Sequence, residues 1–284
     1  MNSIDRHLSD NDFERLSRCI HQICGIHLTP NKKTLLESRL QKRMRALSFE
    51  SLQEYCAHLF SEDGMRKEIR HLIESVTTHK TDFFREPHHF EYLVRKAIPE
   101  MIASKAIGPG RPCRAWSAAC STGEEPYTLA MVLQDVGEIQ PNFTFTILAT
   151  DISTHVLATA SAAVYDLAAV APVPFPMRKK YLLKSRDPSQ KLVKIVPEIR
   201  NLIRFERYNL IDRKPPTSEP MHIIFCRNVL IYFDTATQEQ IVQKFWDMLH
   251  PNGYLFLGHA ESIHNRNIPF RYAAPTIYRK EVSS

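Results

Sequence analysis

The chain reads as an α/β protein with a small all-helical N-terminal domain, a mostly parallel sheet covered on both faces, and a small antiparallel β insert. Three observations predict this. Up to about residue 80, apolar residues recur at three- and four-residue spacing. From Cys113 onward, near-continuous apolar runs alternate with helical periodicities, the pattern of a parallel sheet. Between Met177 and Tyr208, two short β-like runs break that alternation. A length of 284 residues suits two domains, and 43% apolar with 24% charged residues suits a chain with a sizeable core.

The first helix carries Phe13, Leu16, Ile20 and Ile23, with Asp10 or Asn11 placed to cap it and Gly25 to stop it. A second follows Pro30-Asn31, with Leu36, Leu40, Met44 and Leu47 on one side and the bases largely on the other. Two more are expected near Ser51 to Ser61 and Met65 to Val76, and another near Pro87. The stretch Gly108-Pro-Gly-Arg-Pro112 is a loop. The predicted strands are Cys113 to Ala119, Thr144 to Asp151, Met221 to Asn228 and Gly253 to His259. The helices between them start at Ser121 or Thr122, at Ser153 and at Thr235. In the insert, Lys180 to Ser185 and Lys191 to Val196 read as a hairpin, and Pro172, Pro174 and Pro176 as a stiff extended connector.

Composition excludes several functions. Only 8 of 284 residues are Gly, against a usual ~7%, and none opens a G-x-G-x-x-G loop. Gly253 and Gly258 have the phosphate-loop separation, but His259 and Ala260 stand where Lys and Ser or Thr are required. A nucleotide-like ligand would sit in a glycine-poor cradle. The 6 cysteines form no C-x-x-C pair, so reduced, mostly buried thiols are expected, with no disulfide framework and no metal site. No apolar run reaches the ~20 residues of a spanning helix, and the polar start lacks a signal peptide's apolar core. The expected address is the cytoplasm, without membrane insertion. The net charge of +6 is concentrated: between Asn31 and Leu47 six bases oppose the single acid Glu37, a face suited to an anionic partner or simply to water.

Ligands of open parallel sheets bind at the carboxyl ends of the strands. The first strand ends in the small residues Ser117 to Gly123, followed by Glu124 and Glu125. Ser121 or Thr122 with a glutamate three residues on forms a capping-box pattern, and two carboxylates there disfavour phosphate. The second strand ends in Asp151, placed either to accept from both ribose hydroxyls or to cap the next helix. Together these ends favour a phosphate-free adenosine ligand with a cationic tail. S-adenosylmethionine fits that description.

The strings TDFFREPHHF (Thr81 to Phe90), WSAACSTGEEPY (Trp116 to Tyr127), ATDIS (Ala149 to Ser153) and IFCRNVLIYFD (Ile224 to Asp234), in this order and spacing, resemble the chemotaxis receptor methyltransferases, the CheR family. The resemblance runs from about Asn11 to Tyr278. It implies a receptor-docking helical domain over 1–80, then a Rossmann-like class I methyltransferase domain over 81–284 with its β insert at about 177–208. It also implies transfer of the methyl group of S-adenosylmethionine to receptor glutamates, leaving S-adenosylhomocysteine, by a cytoplasmic enzyme recruited to membrane receptor arrays. Carried over by position, the cofactor contacts are His79, Thr81, Arg85, Glu125, Asp151, Asn209, Leu210, Cys226, Arg227 and Asn228. Arg85 and Tyr232 lie beside the reacting methyl. His79 departs from the family's usual Asn in its T-T-N-x-T string, which makes cofactor affinity sensitive to pH near about 6.5.

The chemistry implied needs no nucleophile triad and no general base, because glutamate is ionised at neutral pH. Opposite charges diminish as the bond forms, which is favoured by water exclusion and near-attack geometry. Arg85 would orient a carboxylate through its fork of donors, and Tyr232 would place a hydroxyl and ring against the methyl. Without the resemblance, Arg85 reads as a surface ion pair and Tyr232 as a packed strand-end aromatic. Lys32, Arg39, Lys42, Arg43 and Arg45 would steer the helical domain onto acidic receptor helices. Some family members grip a receptor C-terminal peptide with a glycine-containing hairpin loop in the β insert, but here that loop reads Lys184-Ser-Arg-Asp-Pro188. Two rival functions are a methyltransferase of another substrate such as nucleic acid, and a non-enzymatic module that senses S-adenosylmethionine or docks on receptors. The basic stretch lacks aromatics for stacking bases, so no nucleic acid is expected, and a mere sensor has little need for Arg85, Asn228 and Tyr232 together.

Overall fold

The computed structural model describes residues 7–187, 189–263 and 268–281, so Pro188 of the hairpin loop and the first six residues lie outside it. The chain forms two compact units. One comprises the residues up to Thr78 with Tyr232–Thr237; the other comprises His79–Ile231 with the residues from Gln238 onward.

In the helical unit, α1 (Asp10–Cys24) is capped by Ser9, whose hydroxyl accepts from the Asp12 N–H. The expected cap at Asp10 or Asn11 is thus one or two residues late, because Ser9 keeps extended backbone while Asp10 already lies in the first turn, where its charge complements the helix dipole. Gly25 ends α1 in left-handed backbone at φ 75°, as its lack of a Cβ allows. Phe13, Leu16 and Ile20 are buried, and Cys24 completes the stripe while Ile23 is half-buried. A short 3-10 turn, Pro30–Lys32, leads into α2 (Lys33–Ala46). Ser51 and Ser61 cap α3 (Leu52–Leu59) and α4 (Glu62–Val76). The cap at Ser61 starts α4 three residues before Met65. Helix α4 packs on α1, α2 and α3. The segment after Ile231 belongs to this unit: Ile26 bridges to Phe233, the His27 N–H donates to the Tyr232 carbonyl at 2.8 Å, and the His21 ring meets Asp234 at 2.6 Å.

The basic face of α2 is smaller than the sequence implies. Arg39 donates to the Ser75 and Thr77 carbonyls at the end of α4. Arg43 forks onto Glu68 at 2.7 and 2.8 Å, and that guanidinium holds the Glu68 carboxyl below its usual range. Both arginines hold α2 to α4, whereas Lys32, Lys42 and Arg45 are exposed.

The second unit opens with α5 (His88–Tyr92), a π-turn at Leu93–Ala97 and α6 (Ile98–Ala103). Then come β1 (Cys113–Ala118), α7 (Glu124–Ile139), β2 (Phe145–Asp151), α8 (Thr154–Ala162), β3 (Val164–Asp166), α9 (Phe175–Tyr181), β4 (Leu182–Lys184) and β5 (Leu192–Ile195). The remainder is α10 (Pro197–Arg200), β6 (Ile203–Arg207), β7 (Met221–Cys226), α11 (Thr235–Met248), β8 (Leu249–Leu257), β9 (Phe270–Ala274) and β10 (Ile277–Lys280). Seven strands form one sheet in the order β6-β2-β1-β7-β8-β10-β9. The first five run parallel, and β10 is antiparallel to both its neighbours. This is the Rossmann-like arrangement expected of the second domain, with its switch point between β1 and β7.

The antiparallel insert has three strands in the order β3-β5-β4. The β-like runs of the sequence correspond to β4 and β5; β3 lies upstream of Met177, and β6, inside the span to Tyr208, belongs to the large sheet. Pro174 and Pro176 do not form an extended connector. They open α9, where a fixed φ and a missing N–H cost a helix nothing. Among the described residues no helix is long and apolar enough to cross a membrane.

Fully buried Trp116, Ile223, Phe225 and Phe256 centre the large sheet, with the Phe225 and Phe256 rings stacked at 4.4 Å. At the opposite edge from the carboxyl ends, His222 is 2% exposed; its Nδ1 accepts the Arg114 N–H at 3.0 Å and its ring stacks on His250. Burial, then the neighbouring His250 and Arg114 charges, push His222 down to about 4. The unfolded chain binds this proton near pH ~6.5 and the folded chain does not, so stability present above that pH declines as pH falls toward 4. The slope reaches up to about 1.4 kcal/mol per pH unit for one such group. Urea unfolding followed by the two tryptophans, Trp116 and Trp246, should show a midpoint that falls between pH 7 and pH 5, and His222→Asn should flatten that fall. Parallel pH profiles for the two proteins would refute this role.

Candidate functional site

The expected cofactor residues of the second unit converge at the carboxyl ends of the parallel strands. After β1 the chain turns through left-handed backbone at Ala119 (φ 61°), Ser121 (φ 50°) and Gly123 (φ 99°). Only Gly123 is a glycine, and a Cβ there would lie 2.9 Å from both Ala160 Cβ and the Tyr165 hydroxyl. The expected capping box is absent: Gly123 itself is the N-cap of α7, without a side-chain bond. The tight turn sends the hydroxyls elsewhere, Thr122 to the Glu124 carboxylate and Ser121 to the His79 carbonyl at 3.0 Å. Tyr165 of β3 donates to the Thr122 carbonyl at 2.7 Å, so the insert braces this loop.

Asp151 closes the same loop from β2. Its two carboxylate oxygens accept the N–H groups of Ser121 and Ser153, each at 2.9 Å. Ser153, not Asp151, caps α8. A carboxylate offers about four acceptor positions, so Asp151 can still accept from a ligand hydroxyl. Burial raises its pKa, opposed by those backbone bonds. Glu124 is raised as well, by burial first.

A buried ion network links β7 to α7 and to the segment before α5. The Arg227 side chain is 2% exposed, and its Nε donates to Glu125 at 2.7 Å. Its Nη1 donates to the Arg85 carbonyl at 2.6 Å and lies 3.5 Å from Glu86. Glu125 also accepts from Ser117 Oγ at 2.7 Å. His89, fully buried, takes an Arg227 N–H on Nδ1 at 3.2 Å and therefore donates from Nε2 to Thr276. Burial, then the Arg227 charge, push His89 down to about 2, so it is a neutral acceptor here. The guanidinium also lies over the Phe90 and Phe225 rings.

Thr81 and Arg85 sit half-buried in the segment leading to this network, and one Arg85 guanidinium nitrogen donates to the Lys80 carbonyl. Arg85 makes no surface ion pair among the described residues. Asn209 and Leu210 follow β6 and are buried; the Leu210 carbonyl accepts from Lys244 at 2.6 Å. Cys226 is fully buried, with its thiol pushed well up by burial, which makes it a packing residue. Asn228 adopts φ 61° and donates from Nδ2 to Glu86 at 3.3 Å. Tyr232 groups instead with the helical unit, its carbonyl held by His27.

Sequence reasoning missed Glu86, His89 and Glu261, all engaged at these strand ends. Glu261 had a usable signal: like Asp151, it is an acid just beyond a predicted strand. The donor set fits the ligand expected. Carboxylates, an amide and small side chains suit ribose hydroxyls and a cationic tail, while the buried Arg227 is already neutralised by two glutamates and offers a phosphate nothing.

Comparison with known proteins agrees with this arrangement. Residues 11–77 match the family description "CheR methyltransferase, all-alpha domain", and residues 79–278 match "CheR methyltransferase, SAM binding domain". The chain is 36% identical over 273 residues, 96% of its length and 94% of the relative's, to chemotaxis protein methyltransferase 2 of Pseudomonas aeruginosa. It is 35% identical over 280 residues, 98% and 97% of the two lengths, to the chemotaxis protein methyltransferase of Borreliella burgdorferi. The Escherichia coli chemotaxis protein methyltransferase is 35% identical over 271 residues, 95% of this chain and 91% of its own.

Removing Arg227 leaves Glu125 and Glu86 buried without their cation. Arg227→Met should therefore lower unfolding free energy by about 3–5 kcal/mol, and adding Glu125→Gln should recover part of that loss. Denaturant unfolding of the single and double variants measures both, and a double variant less stable than Arg227→Met would contradict the pairing.

Proposed function

The chain belongs to the CheR methyltransferase family, and from that premise we propose that it transfers the methyl group of S-adenosylmethionine to glutamate side chains of chemoreceptors, giving glutamyl methyl esters and S-adenosylhomocysteine. It is an S-adenosylmethionine-dependent methyltransferase of chemotaxis; the glutamate acceptor and the residue roles are our reading. The observation that carries the reading is the match of both parts of the chain, 11–77 and 79–278, to one family. S-adenosylmethionine, when bound, supplies an electrophilic methyl group.

Asp151 and Asn209 hold ribose hydroxyls, and Glu125 accepts from the cationic amino-acid tail with the lone pairs that Ser117 and Arg227 leave open. His79, Thr81, Leu210, Cys226, Arg227 and Asn228 complete the cofactor contacts, most of them through position and packing. Arg85 keeps guanidinium donors beyond the one given to Lys80, and these orient the substrate carboxylate for in-line attack. Tyr232 is the other residue that the family motif assigns to the reacting methyl. Substrate glutamate is ionised at neutral pH, so no residue has to remove a proton.

The helical unit steers onto acidic receptor helices through the exposed Lys32, Lys42 and Arg45. Arg39 and Arg43 act indirectly, by fixing α2 on α4.

Incubation with methyl-labelled S-adenosylmethionine and receptor-containing membranes should place label on the receptor that mild alkali releases as methanol. Alkali-stable label, or label on RNA, would overturn the reading. The double reversal Lys42→Glu with Arg45→Glu should lower kcat/KM for receptor about 3- to 10-fold at low salt and leave S-adenosylhomocysteine affinity intact. Unchanged low-salt methylation by that variant would remove α2 from the docking surface.

A further inference from the structure

Glu261 lies just past β8 and is 5% exposed. Its carboxylate accepts from four backbone N–H groups: Gly258 at 2.7 Å and Asn228 at 2.9 Å on one oxygen, Leu230 at 2.7 Å and Ile231 at 3.4 Å on the other. No side-chain cation is among these partners. The four amides come from two loops, one after β8 and one after β7. Those loops lie at the carboxyl ends of adjacent central strands.

The β7 loop needs such a clamp. Asn228 sits at φ 61°, left-handed backbone that residues bearing a side chain adopt only sparsely. Val229 alone separates it from the turn Leu230–Tyr232. On the other side of Asn228 there is no slack, because a Cβ on Gly258 would fall 2.5 Å from Asn228 Nδ2 and 2.6 Å from its backbone nitrogen. Asn228 is thus held by Glu261 and confined by the bare face of Gly258.

We propose that Glu261 is a positioning residue for the cofactor site, its carboxylate gathering the amides of Gly258, Asn228, Leu230 and Ile231 so that Asn228 is set for cofactor binding. The proposal rests on the assignment of Asn228 to the cofactor site. It requires both oxygens as acceptors. A glutamine would turn an NH2 group toward two N–H donors, whereas aspartate keeps the acceptors but is one methylene too short.

The test is S-adenosylhomocysteine affinity by calorimetry, well below the melting temperature, for Glu261→Gln, Glu261→Asp, Gly258→Ala, Asn228→Ala and Ile223→Val. Glu261→Gln should weaken binding at least tenfold, Glu261→Asp should weaken it less, and Gly258→Ala should weaken it by displacing Asn228 with Glu261 untouched. Ile223→Val, a core truncation in β7, lowers the melting temperature and should leave affinity within twofold. If folded Glu261→Gln binds like wild type, Glu261 is only a stabilising residue and the proposal falls. Should Glu261→Gln not fold, Gly258→Ala decides in its place, and wild-type affinity there overturns the proposal equally. Wild-type affinity in Asn228→Ala would instead defeat the assignment of Asn228 to the cofactor; weakened binding there, beside unaffected Glu261→Gln and Gly258→Ala, would defeat the positioning alone.

Discussion

The buried pair of Arg227 and Glu125 is the interaction on which the candidate site depends. Ions this far from water lose several kcal/mol of hydration each, and here Nε and Nη1 of the guanidinium both find acceptors. Glu125, the Arg85 carbonyl, Glu86 and His89 surround one guanidinium, and the stacked rings of Phe90 and Phe225 lie beside it. These partners come from sequence positions 85–89, 125 and 227. One planar group thus fixes the start of α7, the end of β7 and the segment carrying Arg85, with angles set by the fork rather than by loose packing. A lysine of the same charge lacks the geometry to hold four partners in three directions.

The cradle after β1 meets a second constraint with very little glycine. Ala119 and Ser121 take left-handed backbone, each at a cost of about 1–2 kcal/mol. The Ser121 N–H on Asp151, the Ser121 hydroxyl on the His79 carbonyl and the Tyr165 hydroxyl on the Thr122 carbonyl hold them there. A phosphate ligand would draw on those amides directly, through a nest of glycine N–H groups. Here one of them is already given to a carboxylate. The strain is therefore balanced within the protein, and the ligand that suits the cradle is one that brings hydroxyls and positive charge.

The centre of the large sheet was legible because β1, β2, β7 and β8 are largely buried and read as apolar runs, and the strand-end rule then led to Asp151 and to the small residues before Gly123; the partly exposed β6 and β9 and the four-residue β10 went unread. So did β3, since three residues carry too little pattern to register. The roles of Arg39 and Arg43 were hidden for a different reason. Their partners Ser75, Thr77 and Glu68 stand 25 to 38 residues away, and helical periodicity says which side of a helix a base lies on without saying what packs there. Glu86 and His89 were within a recognised string, yet their contacts depend on Arg227, more than a hundred residues later. Tyr232 shows the limit most clearly: the motif places it at a strand end, while the contacts of its own segment are with His27, Ile26 and His21.

Charge balance at the strand ends sets what the proposed reaction demands of Arg85. Glu86, Glu124, Glu125, Asp151 and Glu261 gather there, Glu86 and Glu125 at Arg227, and Glu124, Asp151 and Glu261 have their pKa raised by burial. Such a field favours a sulfonium cofactor, and by the same Coulomb law it opposes an approaching glutamate. Attraction between the two reacting charges offsets part of that repulsion, but only at contact, after the carboxylate has already lost water. A donor is needed earlier on the path. In the proposed reaction Arg85 would supply it from a half-buried position, with its backbone carbonyl fastened to Arg227 and a single guanidinium bond spent on Lys80. The buried arginine therefore holds the half-buried one in place, and the division between them follows from burial: Arg227 is too well paired to meet a substrate, and Arg85 is free enough to do so.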